Sequence, residues 1–242
     1  MAGKTAGILL IGNEILSGKI EDTNARHLIG ELRQLGVDLR RIVVTQDDVA
    51  EIAGALRQLA DRFDYVFTSG GVGPTHDDLT MQGVARAFET RIVRHPLLEG
   101  LLRDHYGASL KEANLRMADV PEGAELIPAD HANWPVTTFR NVFVLPGVPE
   151  IFRRKFDAIK ARFREAPFFL RAVYVRLDEG TIAPLLDEVV AAHPSVGIGS
   201  YPRLGADYQV KITIEGKDEG AVKGAFSQLL ARISPADVVR TD

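Results

Sequence analysis

Residues 64–80 read "DYVFTSGGVGPTHDDLT". The first six are a short apolar run of the kind that forms a buried strand, and the stretch from Asp77 to Glu89, "DDLTMQGVARAFE", carries a helical spacing of apolar residues. Strand, glycine loop and helix in direct succession are the beginning of a βα unit. The loop between them holds three glycines and a proline, more than a plain turn requires, and runs at once into His76, Asp77 and Asp78.

The chain on either side repeats the alternation. "TAGILLIG" (5–12) predicts a strand, 23–36 a helix with Ala25, Leu28, Ile29, Leu32 and Leu35 on one face, and 38–46 a second strand. A helix is expected over 48–63, capped by Asp48 with Glu51 three residues on. Beyond the loop, "PLLEGLLRDHYG" and "LKEANLRMA" read as short helices, "GAELIPADHANWPVTTF" as irregular or edge-strand chain, and 141–147 as a further strand. Pro149 suits a first helical position, with Phe152, Phe156, Ile159 and Phe163 recurring on one face. The pattern predicts an α/β fold with a mainly parallel sheet. It changes near "REAPFFL" (164–170), after which a β-α-β-β-α order suggests a small α+β domain. The expected domains are therefore 1–168 and 169–242.

Composition restricts the function. The 242 residues include 45% hydrophobic and 26% charged side chains, with a formal net charge of −4, which argues against a nucleic-acid partner. The absence of cysteine excludes disulfides and thiolate chemistry. Neither a signal peptide nor a membrane span is read in the N-terminal residues, and the expectation is a cytoplasmic protein with no membrane partner. There is no G-x-x-x-x-G-K-[ST], no G-x-G-x-x-G after the first strand and no G-x-S-x-G.

Ligands of open parallel sheets sit beyond the carboxyl ends of the strands. Those ends carry Asn13, Glu14 and Ser17, then Asp47 and Asp48, then Ser69, Gly70, Gly71, Gly73, Thr75, Asp77, Asp78 and Thr80, and last Pro146 and Gly147 in "PGVPE". Gly70, Gly71 and Gly73 allow close backbone approach to a phosphate, and a helix beginning near Asp78 adds its positive end. Asp77 and Asp78 would repel a bare phosphate and fit one if a divalent cation lies between them. Simpler readings exist: Asp78 as a helix cap, Asp48 as an N-cap, Asn24 as a helix-start residue and "PGVP" as a rigid turn. The histidines at 27, 95, 105, 131 and 193 show no metal-ligand spacing.

The string "TSGGVGPTHDDLT", with "GNEILSG", "TQDD" and "LPGVPE" around it, resembles the molybdopterin-binding-like domain of molybdenum-cofactor biosynthesis proteins and of the N-terminus of competence/damage-inducible (CinA) proteins. The C-terminal part, with "GIGSYPRL" and "YQVKITIEG", is similar to the KH-like domain that follows in CinA proteins; the CinA amidase domain is not represented. The resemblance implies a three-layer α/β/α domain, functional roles for Asp47 and Asp78, and hydrolysis of ADP-ribose-type diphosphates to AMP with Mg, Mn or Co. Asp77, Asp78 and Glu14 are then the catalytic candidates, Asp77 and Asp78 the metal ligands, and Asn13, Asp47, Ser69, Gly70, Gly71, Gly73, Thr75, Thr80, Pro146 and Gly147 the ligand-binding set. Non-hydrolytic molybdopterin binding and nucleotide-dependent regulation are the alternatives. Where most CinA proteins carry a Gly-Thr-Ala-Pro-Gly-like loop, this chain has "ADHANWPVTTFRNV" (129–142), which looks more like the corresponding domain of FAD synthases. The small domain contains no G-x-x-G loop and is read as a structural or dimerisation unit of a homo-oligomer.

Overall fold

A computed structural model of the chain describes residues 3–129, 134–204 and 207–242. Two compact units separate at Glu165/Ala166.

The first unit runs β1 (Thr5–Ile11), α1 (Asn13–Leu16), α2 (Asn24–Gln34), β2 (Asp38–Thr45), α3 (Val49–Ala60), β3 (Tyr65–Ser69), α4 (Thr80–Ala87), β4 (Ile92–Arg94), α5 (Pro96–Tyr106), α6 (Glu112–Leu115), β5 (Asp119–Pro121), β6 (Glu125–Ile127), β7 (Val136–Phe139), β8 (Val142–Leu145) and α7 (Pro149–Ile159). Its main sheet has the order β2-β1-β3-β8-β7-β6. β2, β1, β3 and β8 are parallel, and β7 and β6 add an antiparallel edge. Alternation along β1 divides the core between the two faces: Ile8 and Leu10 pack with α2 and α7, Leu9 and Ile11 with α3 and α4. A small cluster built on Leu98, Leu102, Leu115, Ala118 and Val120 holds the α5–β5 excursion together. The second unit, β9 (Phe169–Val175), α8 (Glu179–Ala192), β10 (Gly197–Pro202), β11 (Val210–Gly216), α9 (Glu219–Arg232) and β12 (Val238–Thr241), is an antiparallel sheet of order β10-β11-β9-β12 with α8 and α9 on one face.

The α/β class and mainly parallel sheet are as the pattern predicts, and the small unit is α+β. Three elements differ. The helix expected over 77–89 begins only at Thr80, so Asp77 and Asp78 belong to the loop and no side chain caps α4. The chain expected to be irregular or edge strand over 123–139 contains the edge strand β6 and its neighbour β7, so only its irregular reading gives way. Strand β12 pairs with β9, an element that the β-α-β-β-α reading omits. Asp48 caps α3 by accepting from the amides of Ala50 and Glu51. In the substituted segment 129–142, residues 130–133 lie outside the described residues. No helix among the described residues is long and apolar enough to cross a membrane.

Candidate functional site

The parallel strands point their carboxyl ends to one rim, and Gly70 is the knot that ties three of them. Its φ is +103°, and an added Cβ would stand 2.2 Å from the carbonyl oxygen of Ile11 at the end of β1. Its amide donates to the Leu145 carbonyl at the end of β8 (3.3 Å). Its carbonyl accepts from the Thr80 hydroxyl (2.7 Å), and the Thr80 amide donates to Gly71 O (3.0 Å). Thr80 is fully buried, so it acts as the internal strut that fixes the loop against the start of α4.

The far limb of the loop is folded on itself. Asp78 accepts from the Thr75 amide (2.8 Å) and, through the same Oδ2, from the Thr75 hydroxyl, which also lies 2.7 Å from Oδ1 of Asp77. The Thr75 hydroxyl, followed by Asp77's own amide, holds the exposed Asp77 carboxyl below its ordinary range. A Cβ on Gly73 would meet the Asp78 carboxylate at 2.7 Å, so glycine allows the carboxylate to tuck under the loop. The amides of Gly71, Val72 and Gly73 donate to no atom among the described residues. These three residues line a pocket, and successive unpaired amides form the concavity that binds anions.

The pocket encloses about 1380 Å³. Glu14, Ser69, Gly70, Asp78, Pro146 and Gly147 line it alongside the loop. Met81, Leu102, Tyr106, Met117 and Trp134 contribute apolar wall from the α4–β7 region. Five carboxylates (Glu14, Glu21, Asp22, Asp78 and Asp104) line it against two basic side chains, Arg154 and Lys155. Asn24 closes one side: its Nδ2 donates to Ser69 Oγ (2.9 Å) and to Gly147 O (2.8 Å), and its buried Oδ1 has no partner among the described residues. It thus joins α2 to the ends of β3 and β8.

Several sequence candidates stand elsewhere. Asp47 accepts from the Asn13 amide (2.8 Å), pinning the turn after β1 to the end of β2; neither residue lines the pocket, and Asn13 is exposed. Asp77, Thr75 and Thr80 also lie off the main pocket. Among the described residues no group of three or more His, Asp or Glu side chains gathers closely enough to hold a metal on protein ligands alone. Asp77 and Asp78, joined through one hydroxyl, offer two carboxylates, the sparse ligation that Mg²⁺ accepts where phosphate oxygens complete its shell.

Sequence reasoning missed Lys155. It is 6% exposed, lines the pocket, and donates to the Pro135 carbonyl (2.8 Å); burial pushes its ammonium down to about 8. The signal was present, because 152, 155, 156 and 159 follow the i, i+3, i+4, i+7 spacing of a buried helical face.

A parallel sheet with a glycine loop and acidic residues at its carboxyl rim defines an α/β ligand-binding domain. The particular family is the one whose description is probable molybdopterin binding domain: residues 7–165 match it and the chain belongs to it, while residues 167–242 match the FAD synthase middle domain. A protein of Archaeoglobus fulgidus is 36% identical over 222 residues, 91% of this chain and 94% of that one. A probable FAD synthase of Caenorhabditis elegans is 34% identical over 93% of this chain, which spans about half (49%) of its length. A CinA-like protein of Desulfosudis oleivorans is 36% identical over 63% of this chain and 38% of its own. The crystal structure of the protein CinA from Thermoplasma acidophilum superposes with a TM-score of 0.62 and 31% identity, covering 66% of this chain and 98% of that one. Both resemblances, to CinA proteins from the glycine loop and its companion motifs and to FAD synthases from segment 129–142, are therefore shown.

Proposed function

We propose that the pocket binds a phosphorylated nucleotide or pterin and hydrolyses a nucleotide diphosphate of the ADP-ribose or FAD type, releasing AMP with the aid of a divalent cation. The observation that carries the reading is the run of unpartnered amides at Gly71, Val72 and Gly73 beside Asp78 in a pocket whose volume suits a dinucleotide. Names of relatives agree with a nucleotide or pterin ligand.

The charge balance explains the cation. Five lining carboxylates against two basic groups would repel a bare diphosphate. A divalent cation supplies Lewis acidity toward the phosphoryl oxygens and lowers the pKa of the attacking water. Asp78 and Asp77 would hold it, the loop amides would hold the phosphoryl oxygens, and Glu14 would accept the proton of the water. Water oxygen bonds to phosphorus, the bridging P–O bond breaks, and AMP leaves with the second phosphate ester as co-product.

The test is incubation with ADP-ribose and FAD in the presence of Mg²⁺, Mn²⁺ or Co²⁺, with AMP followed by chromatography. AMP forms only with metal, and Asp78→Asn lowers the rate by roughly 10²-fold or more, as for loss of a preorganised electrostatic contact. Because Asp78 also anchors Thr75, thermal unfolding of the variant accompanies the assay. Absence of AMP with every metal refutes hydrolysis. Tight molybdopterin binding without turnover would establish the second reading, whose ligand the family description names.

A further inference from the structure

Among the charged groups lining the pocket that the reading above does not use, one is buried. Lys155 lies on the buried face of α7 with Phe152 and Phe156, lines the pocket, and meets the chain at Pro135, next in sequence to the lining residue Trp134. Its surroundings give it one hydrogen bond, to the Pro135 carbonyl, and no carboxylate lies within 4 Å of its Nζ among the described residues. An ammonium has three donors. Buried charges are paired because leaving one unpaired costs several kcal/mol. A cation kept in an apolar wall, with donors to spare and a cavity in front of it, is a site waiting for an anionic partner.

The sheet places it relative to the glycine loop. Trp134 and Pro135 lead into β7, which is antiparallel to β8, so they lie at the same rim as the loop after β3. β3 and β7 are separated by β8 alone, two strand spacings or ~10 Å. The pocket thus has the unpaired amides of the glycine loop and a buried cation along one rim of the sheet.

Resting on the reading of this pocket as the ligand site, we propose that Lys155 is its specificity-determining residue, taking an anionic or strongly polarised oxygen of the ligand. Two sources carry that chemistry: a ring oxygen such as a lactam carbonyl, and a phosphoryl oxygen. Trp134, next in sequence to Pro135, and Ile151, one helical turn before Lys155, both line the pocket and suit a flat ring. The lowered pKa of the free ammonium accords with an unfilled anion site, since an oxygen anion bound there would hold the proton on.

The experiment measures binding of riboflavin, ADP-ribose and FAD to the full chain with Ca²⁺ as the divalent cation and at low temperature, by calorimetry, for wild type, Lys155→Met and Lys155→Arg. Lys155→Met weakens binding about tenfold or more, as loss of a charge-assisted hydrogen bond requires, and Lys155→Arg recovers part of it. A loss for riboflavin and FAD alone puts a ring oxygen at Lys155; an equal loss for ADP-ribose and FAD puts a phosphoryl oxygen there. The melting temperature of Lys155→Met stays at or above that of wild type, because the change removes a buried charge. Should Lys155→Met fail to fold, the arginine variant decides: binding of FAD near the wild-type level supports the proposal, and a full loss overturns it. Equal affinity of folded Lys155→Met and wild type for all three probes overturns the proposal, and continued AMP release in that case leaves the hydrolytic reading standing. Weakened binding without any AMP release sustains Lys155 and removes the hydrolysis. Wild-type protein that binds none of the three refutes both.

Discussion

Gly70→Ala tests whether one backbone position holds the site together. At φ +103° an alanine is strained, at a cost of ~1–2 kcal/mol. The new Cβ would also stand 2.2 Å from Ile11 O, a backbone atom fixed in the middle of the parallel sheet. Relieving that overlap moves β1 and β3 apart at their carboxyl ends, and forced repacking of this kind costs ~1–3 kcal/mol. The two effects add to ~2–5 kcal/mol, a large share of a typical total stability of ~5–15 kcal/mol. For a unit of this size the melting temperature falls by ~5–20 °C. Gly30→Ala is the control: Gly30 lies inside α2 with nothing within 4 Å of the added Cβ, so the change favours the helix and stabilises by ~0.5–1 kcal/mol. Thermal unfolding by circular dichroism reads both, and ligand binding is measured well below each midpoint. The Gly70 variant also loses affinity, since Gly71, Val72 and Gly73 follow directly from the displaced position. A Gly70→Ala protein melting within about 2 °C of wild type, where strain alone demands more, refutes the knot at Gly70.

Two further outcomes follow from single contacts. Thr80→Val keeps the shape of a fully buried side chain and leaves Gly70 O without its 2.7 Å partner, so the denaturant midpoint drops by the equivalent of ~1–3 kcal/mol; an unchanged midpoint means the loop does not depend on this strut. Asp64, which accepts from Lys4 Nζ and from the amide and hydroxyl of Thr5, is held down at about 2 against an ordinary 3.8, first by Lys4. Its folded value lies below its unfolded one, so the stabilisation is complete above 3.8 and is lost as pH falls through about 2. With a third of the side chain exposed, the contribution is ~1–2 kcal/mol, and Asp64→Asn flattens the acid limb of the stability curve over that interval; an acid limb identical to wild type removes Asp64 as its source.

How much of this was legible depends on where each feature's cause resides. The glycine loop announces itself because its geometry is local: φ values open to glycine, and carboxylates two or three residues from the groups they bind. The strand ends were placed by the same local alternation that splits Ile8 and Leu9 between two cores. Local signals misled where a tertiary contact competes with them. Asp78 sits where a helix cap belongs, yet its carboxylate turns back to Thr75 because Thr80, two residues on, is taken by Gly70 and Gly71 and sets the start of α4. Asp47, read as a ligand, uses one carboxylate oxygen to hold the Asn13 amide, 34 residues away, a contact no local signal indicates. The far wall of the pocket has no local cause at all: Leu102, Met117, Trp134 and Lys155 come from four segments that only the closed sheet brings together. Lys155 was missed although the helical period carried the signal, since a lysine on the buried face of α7 violates the pattern that its phenylalanine neighbours obey. A residue that breaks a strong local rule and lines a cavity has been kept at a cost in stability, and the ligand is where that cost is recovered.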